Sequence, residues 1–187
     1  MTTFKLHDID TAPDASKPLV EGAQKAFGFI PNLVGVLAES PSALEGYLAV
    51  AGAFDKSELS ATEKQIVLLA TSVENGCAYC VAAHTTVGTM QKVATSILDA
   101  LREGRALEDA KLEALRALTV SIVRNRGFAD QSAVAAFLAA GYSKRNLLDV
   151  VTGVTQKTLS NYVNHIAETP LDAPFAKAAW TKTRVTA

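Results

Sequence analysis

Two cysteines and a histidine crowd into one short run, Glu74-Asn75-Gly76-Cys77-Ala78-Tyr79-Cys80-Val81-Ala82-Ala83-His84. On a helix Cys77, Cys80 and His84 fall at i, i+3 and i+7, along one stripe of one face. At that spacing two thiols can close a disulfide within a single turn. Such a pair does nucleophilic or redox work, and either task needs a thiolate. Bringing a free thiol from its usual value of about 8.5 to about 7 takes roughly 2 kcal/mol of differential stabilisation. A helix N-terminus supplies about 0.3–1 kcal/mol, so a base must supply the rest. His84 stands four residues beyond Cys80 and seven beyond Cys77, within reach of the Cys80 sulfur directly or through one water. Cys80 would attack a peroxide oxygen and become a sulfenic acid; Cys77 would condense with it and expel water. An external dithiol would then reduce the disulfide.

Other readings of the same residues compete. Two buried cysteines can be small apolar fillers. A zinc half-site would need His165 from a distant helix and a fourth ligand that the sequence does not identify. Glu63 is most simply the partner of Ser60 in a capping box, and Glu74 a solvated residue at a helix end. Asn164-His165 reads as a polar pair packing at a helix or subunit interface.

The elements that must position the dithiol are helical throughout. Leu19, Ala23 and Phe27 recur at helical spacing before Gly28, and a short apolar turn covers Leu33 to Leu37. Ser40-Pro41 opens a helix whose buried stripe is expected at Leu44, Tyr47, Leu48, Ala51 and Phe54. Ser60-Ala61-Thr62-Glu63 caps the next, with Ile66, Leu69, Ala70 and Val73 on one face, until Asn75-Gly76 stops it. Cys77 therefore starts a helix running through His84 towards Gly88. Further helices are expected over about 94–103, from Leu112 to Val123, and from Asp130 to Ala140. A long one from Ser143 has Leu147, Leu148, Val151, Val154, Leu159, Tyr162, Val163 and Ile166 as its apolar positions. No strand is expected, because alternation never persists. The expectation is one all-helical domain over residues 1–187, about eight helices, with an arm at 1–17, a tail at 170–187 and a redox core at about 59–90.

Composition narrows the setting. Apolar residues make up 49 %, enough for a sizeable core, and a formal net charge of −1 gives no broad attraction to nucleic acid or anionic lipid. No segment approaches the roughly 18 consecutive apolar residues of a membrane span, and the N-terminus lacks a secretory pattern. The expected setting is cytoplasmic, where a structural disulfide is out of place and a Cys-x-x-Cys pair points to redox or metal chemistry.

The run from Leu59 to His84, a helix ending in Asn-Gly followed by Cys-x-Tyr-Cys and Ala-His, resembles the core of the alkylhydroperoxidase D-like branch of the carboxymuconolactone decarboxylase family. Gly-Phe-Ile-Pro-Asn from residue 28 and Asn-Tyr-Val-Asn-His from residue 161 fit its longer members. The resemblance implies an all-α bundle, assembly into trimers or hexamers, and reduction of a small hydroperoxide at the expense of an external dithiol. No cofactor and no metal are implied. It maps the peroxidatic cysteine to Cys80, the resolving one to Cys77 and the relay histidine to His84. The relay glutamate of that family falls on Gln65, an amide that can orient an imidazole but not exchange its proton. A replacement carboxylate is sought at Glu74, ahead of Glu63. Two alternatives stand beside the reductase: a non-enzymatic redox-sensing dithiol protein, and a decarboxylase-like lyase on a small lactone acid, against which the intact dithiol argues.

Overall fold

The computed structural model describes residues 4–182. Residues 1–3 of the arm and 183–187 of the tail lie outside it. Among the described residues nine α-helices follow one another: α1 (Lys17–Phe27), α2 (Asn32–Leu37), α3 (Pro41–Asp55), α4 (Ala61–Glu74), α5 (Ala78–Met90), α6 (Thr95–Arg102), α7 (Ala110–Arg124), α8 (Gln131–Ala139) and α9 (Lys144–Ala167). A 3-10 segment, Ala173–Ala178, ends the described chain. The apolar turn expected at 33–37 is itself a six-residue helix. There are no strands among the described residues.

Helix α4 is the axis. Gln65 through Ser72 are all buried, so the helix is covered on every side, by α5, α6, α7 and α9. Its start is the expected capping box: Glu63 N donates to Ser60 Oγ and Ser60 N to Glu63 Oε2. Its end sets the site. Gly76 takes φ +71°, Gly76 N donates to Val73 O and Cys77 N to Ser72 O. That is a Schellman ending, which glycine permits because the left-handed conformation is not strained without a Cβ. Cys77, in extended conformation, is at once the N-cap of α5. The chain thus turns from α4 into α5 with no intervening loop.

Two buried clusters flank α4. One gathers Leu69, Leu98, Leu115, Leu118 and Phe137, with Phe137 stacked on Tyr142 at 4.4 Å. The other gathers Val20, Val34, Leu37, Leu44, Tyr79 and Phe175 around both cysteines.

Helix α9 departs from expectation. Its buried residues are Val150, Gly153, Gln156, Lys157, Ser160, Asn161 and Asn164, whereas Leu148, Val151, Tyr162 and Ile166 are exposed. The helix is rotated so that a polar stripe faces inward. Along α3, Tyr47, Leu48 and Ala51 are only half-buried, because they border a cavity, although Tyr47 and Leu48 also pack against the second cluster.

Gly153 is where α9 crosses α3 and α4. A Cβ there would lie 2.7 Å from Val67 Cγ1 and 2.8 Å from the Phe54 ring. Gly52 of α3 is exposed, with nothing within 4 Å of such an atom. Helix propensity alone favours alanine at both by about 1 kcal/mol. Overpacking costs about 1–3 kcal/mol and should win only at the crossing. Gly153→Ala is expected to lower the urea midpoint and Gly52→Ala to raise it; the reverse order would show that the crossing is not tightly packed.

Candidate active site

The two thiols are reduced, and each is about 1 % exposed. Cys80 sits in the first turn of α5, one turn from Cys77. The inner stripe of α9 supplies its polar surroundings. Asn164 Nδ2 lies 3.3 Å from Cys80 Sγ and 3.8 Å from Cys77 Sγ. Ser160 Oγ lies 3.7 Å from Cys80 Sγ, and Lys157 Nζ is also 3.7 Å away. Asn161 fixes the stripe to the α4–α5 corner, accepting from Asn75 Nδ2 at 2.9 Å and donating to Ser72 Oγ at 3.4 Å.

Lys157 is only about 1 % exposed, and no carboxylate pairs with it. A buried ammonium needs a compensating charge, and the nearby Cys80 thiolate provides one. The energetics run the same way. A hydrogen bond from Cys77 lowers the Cys80 thiol below its ordinary value. Burial opposes the shift, while the Lys157 charge and contacts with Ser160 and Asn161 reinforce it. Cys77, which gives that hydrogen bond and is itself buried, is pushed up. Burial is the largest influence and disfavours the Lys157 charge, yet attraction to Cys80, joined by Tyr47 and Cys77, together outweighs it and raises the Lys157 pKa. Of the two thiols, Cys80 is therefore the one ionised.

His84 takes a different place from the one its spacing suggested. Its Nε2 is 2.8 Å from Lys157 Nζ and its Nδ1 is 3.2 Å from Gln65 Oε1. Lys157 thus stands between the imidazole and the thiol, where direct contact or one water was expected. Burial first and the Lys157 charge second hold His84 well below its ordinary value, so the ring is neutral. A neutral ring with Nδ1–H donating to Gln65 presents the Nε2 lone pair to the ammonium. Gln65 in turn donates to Gln91 Oε1 at 3.0 Å. The relay positions therefore hold two amides, an imidazole and a lysine.

Neither expected carboxylate joins them. Glu74 pairs with Arg124 at 2.8 Å on the outer side of α4. Glu63 is occupied by Ser60 N and by the Tyr142 hydroxyl, which donates to it at 2.7 Å. His165 is exposed. No group of three or more His, Cys, Asp or Glu side chains is placed to hold a metal among the described residues. Sequence reasoning missed Lys157, Gln156, Ser160 and Asn161. The available signal was their spacing at i, i+1, i+4 and i+5, a helical stripe of polar residues.

A cavity of about 210 Å³ opens over Cys80, with His84, Lys157 and Gln156 also in its lining. Its wall is otherwise apolar, with Phe27, Leu33, Tyr47, Leu48 and Phe175 prominent. The tail holds one wall in place. Asp172 accepts from Asn32 N at 3.0 Å and from the Tyr79 hydroxyl, while Tyr79 Oη accepts from Leu33 N at 3.2 Å. Phe175 then packs edge-on against Phe29 and Tyr79, at 5.8 and 6.1 Å between ring centroids.

Residues 38–107, which include both cysteines, His84 and Gln65, match the model of the carboxymuconolactone decarboxylase family. The whole chain shares its fold with solved structures of the alkylhydroperoxidase type. The alkylhydroperoxidase AhpD core of a peroxidase-related protein from Ralstonia eutropha JMP134 superposes with a TM-score of 0.81 at 19 % identity, over 92 % of this chain and 93 % of that one. A peroxidase-related protein from Silicibacter sp. TM1040 gives 0.77 at 19 % identity, over 94 % and 97 %. The debrominase Bmp8, solved as a cysteine-to-alanine variant with 2,3,4-tribromopyrrole, gives 0.80 at 15 % identity, over 95 % of each chain. No curated protein sequence matches the chain significantly.

The ion pair in this site makes a direct forecast. Thiol alkylation proceeds through the thiolate, so the rate at Cys80 should be flat above its lowered pKa and fall only as pH drops through it. Lys157→Met removes the counter-charge and should move the inflection up towards about 8.5, slowing alkylation at pH 7 by roughly 10–30-fold. An unchanged pH profile of the alkylation rate would show that Lys157 does not hold the thiolate.

Proposed function

We propose that this protein is a thiol-dependent hydroperoxide reductase in which Cys80 is oxidised by peroxide and Cys77 resolves it. One observation carries the reading: the Cys80 sulfur lies beside a second thiol and a buried ammonium at the floor of an apolar cavity. The Cys80 thiolate attacks the terminal oxygen of a hydroperoxide, forming Cys80–S–OH and an alkoxide. Lys157 gives the alkoxide its proton, releasing an alcohol and leaving a neutral amine. The Cys77 thiol then displaces water from the sulfenic acid to form the disulfide. Two external thiols reduce it, returning both electrons and the proton that Lys157 gave up. His84 and Gln65 position the Lys157 ammonium and remain neutral. Lys157 thereby does the proton work of the relay carboxylate, which is why an amide at Gln65 is tolerated.

The protein works in this reading as a homo-oligomer, a trimer or hexamer. The outer side of α9 leaves Leu148, Tyr162 and Ile166 more than half exposed, a surface suited to a second copy. The cytoplasm supplies the dithiol donor.

The cavity wall favours one second reading. Aromatic and aliphatic side chains over a thiolate also suit a bromoaromatic substrate, as in the debrominase of the same fold. On this reading the Cys80 thiolate takes the halogen as a sulfenyl bromide, the aromatic carbon takes a proton, and Cys77 displaces bromide to give the same disulfide. Bromide release from 2,3,4-tribromopyrrole without hydroperoxide consumption would favour it.

The cysteine roles separate in variants. The wild type should consume one equivalent of cumene hydroperoxide without reductant and lose about two hydrogens in mass. Cys77→Ser should consume one equivalent without reductant and leave a sulfenic acid at Cys80 that dimedone traps, and Cys80→Ser should consume none. Consumption by Cys80→Ser but not by Cys77→Ser would reverse the roles.

A further inference from the structure

Five buried side-chain oxygens lack a hydrogen-bond partner among the described residues: those of Ser57, Asp149, Gln156, Asn164 and Thr169. Only Gln156 of these borders the cavity over Cys80. It is 7 % exposed, and its Oε1 is an acceptor with nothing to accept from. It adjoins Lys157 in sequence, on the inner side of α9. It also borders a second depression of about 230 Å³, whose lining mixes Lys64, Gln65 and Gln91 with Phe54 and Leu68, so it forms part of the partition between an apolar chamber and a mixed one. A buried acceptor left unmatched costs stability and is retained where a ligand completes it.

We infer that Gln156 is the substrate-recognition residue of this cavity and that its Oε1 accepts the hydrogen bond of a compact, uncharged, apolar molecule carrying one O–H donor. The inference rests on the hydroperoxide reading above and extends it to the substrate class. A hydroperoxide R–O–OH has one donor, on the oxygen that the thiolate attacks. Gln156 holds that hydrogen while Lys157 faces the departing oxygen. The hydrogen stays on the same oxygen when it becomes Cys80–S–OH, so the contact persists through the step. Size and charge narrow the class further. A volume of about 210 Å³ is below the range of about 300–1,000 Å³ usual for drug-sized ligands, which excludes long acyl chains. Among the described residues the one cation in the lining, Lys157, is committed to Cys80, which disfavours a carboxylate there.

The test uses the wild type and Gln156→Leu with two ligands of nearly equal shape, cumyl alcohol and cumene, only the first having a donor. Each is titrated for protection of Cys80 against methyl methanethiolsulfonate, a reagent with no donor. The alcohol should bind the wild type roughly 10–100-fold more tightly than Gln156→Leu, as expected when a buried hydrogen bond is lost, while cumene binds both alike. Gln156→Leu should lose a similar factor in kcat/KM for cumene hydroperoxide, react normally with the unprotected reagent, and melt no lower than the wild type. Equal protection of both proteins by the alcohol would overturn the inference, and so would a lowered melting temperature with kcat/KM unchanged, which marks a structural amide. The two readings can fail separately. Gln156-dependent protection in a protein that consumes no hydroperoxide would sink the reductase reading alone. Normal hydroperoxide turnover by Gln156→Leu would sink the recognition role alone.

Discussion

The contact between Lys157 and Cys80 organises the site because neither charge is tolerable in that position alone. Each side chain is about 1 % exposed, and 3.7 Å separates ammonium from sulfur. Isolated buried charges usually neutralise, so the pair persists as ions only because each pays for the other. The proposed hydroperoxide reaction would consume this balance stepwise. Once the sulfur is oxidised the thiolate is gone, and a lysine that has passed its proton to the product is neutral too. No uncompensated charge is left in the chamber at either end of the cycle. That property follows from using a lysine where a carboxylate relay would leave a negative charge beside a disulfide.

Holding the pair requires two backbone devices that meet at right places. The Schellman ending of α4 puts Gly76 in a left-handed conformation and makes Cys77 the first cap of α5, so both sulfurs are fixed to the same corner. Helix α9 must bring five polar side chains to that corner and therefore turns Leu148, Val151, Tyr162 and Ile166 outward. Asn161, bound to Asn75 and Ser72, locks the two devices together. The tail closes the other side of the chamber through Asp172, which joins the start of α2 to the Tyr79 hydroxyl.

Most of the helical scaffold was legible in the sequence because caps and stops are local. Ser60 with Glu63, Asn75-Gly76 and Ser143 each act within a few residues, and each marks the boundary it should. The dithiol was legible for the same reason. What was not legible depends on a distant partner. The outward rotation of four apolar side chains of α9 reverses the usual reading of apolar residues as buried, and that rotation is set by the packing of Gly153 against Phe54 and Val67 together with the Asn161 contacts. Lys157 is 77 residues from Cys80 in the chain, and a lone lysine in a helix reads as solvated until a thiol is found beside it. Glu74 illustrates the converse. Proximity in sequence suggested a relay, but the side chain leaves α4 on the side of Arg124.

The claim at the centre is that one of two adjacent buried thiols is ionised at neutral pH. Thiolate absorbance at 240 nm, followed in the reduced wild-type protein from acid to alkaline pH against the Cys80→Ser variant, measures this without any substrate. The expected result is one thiolate equivalent at pH 7, lost on acidification well below the ordinary thiol range, abolished by one equivalent of hydroperoxide and missing in the variant. Two thiols that ionise only above about pH 8.5, as free cysteines do, would contradict it.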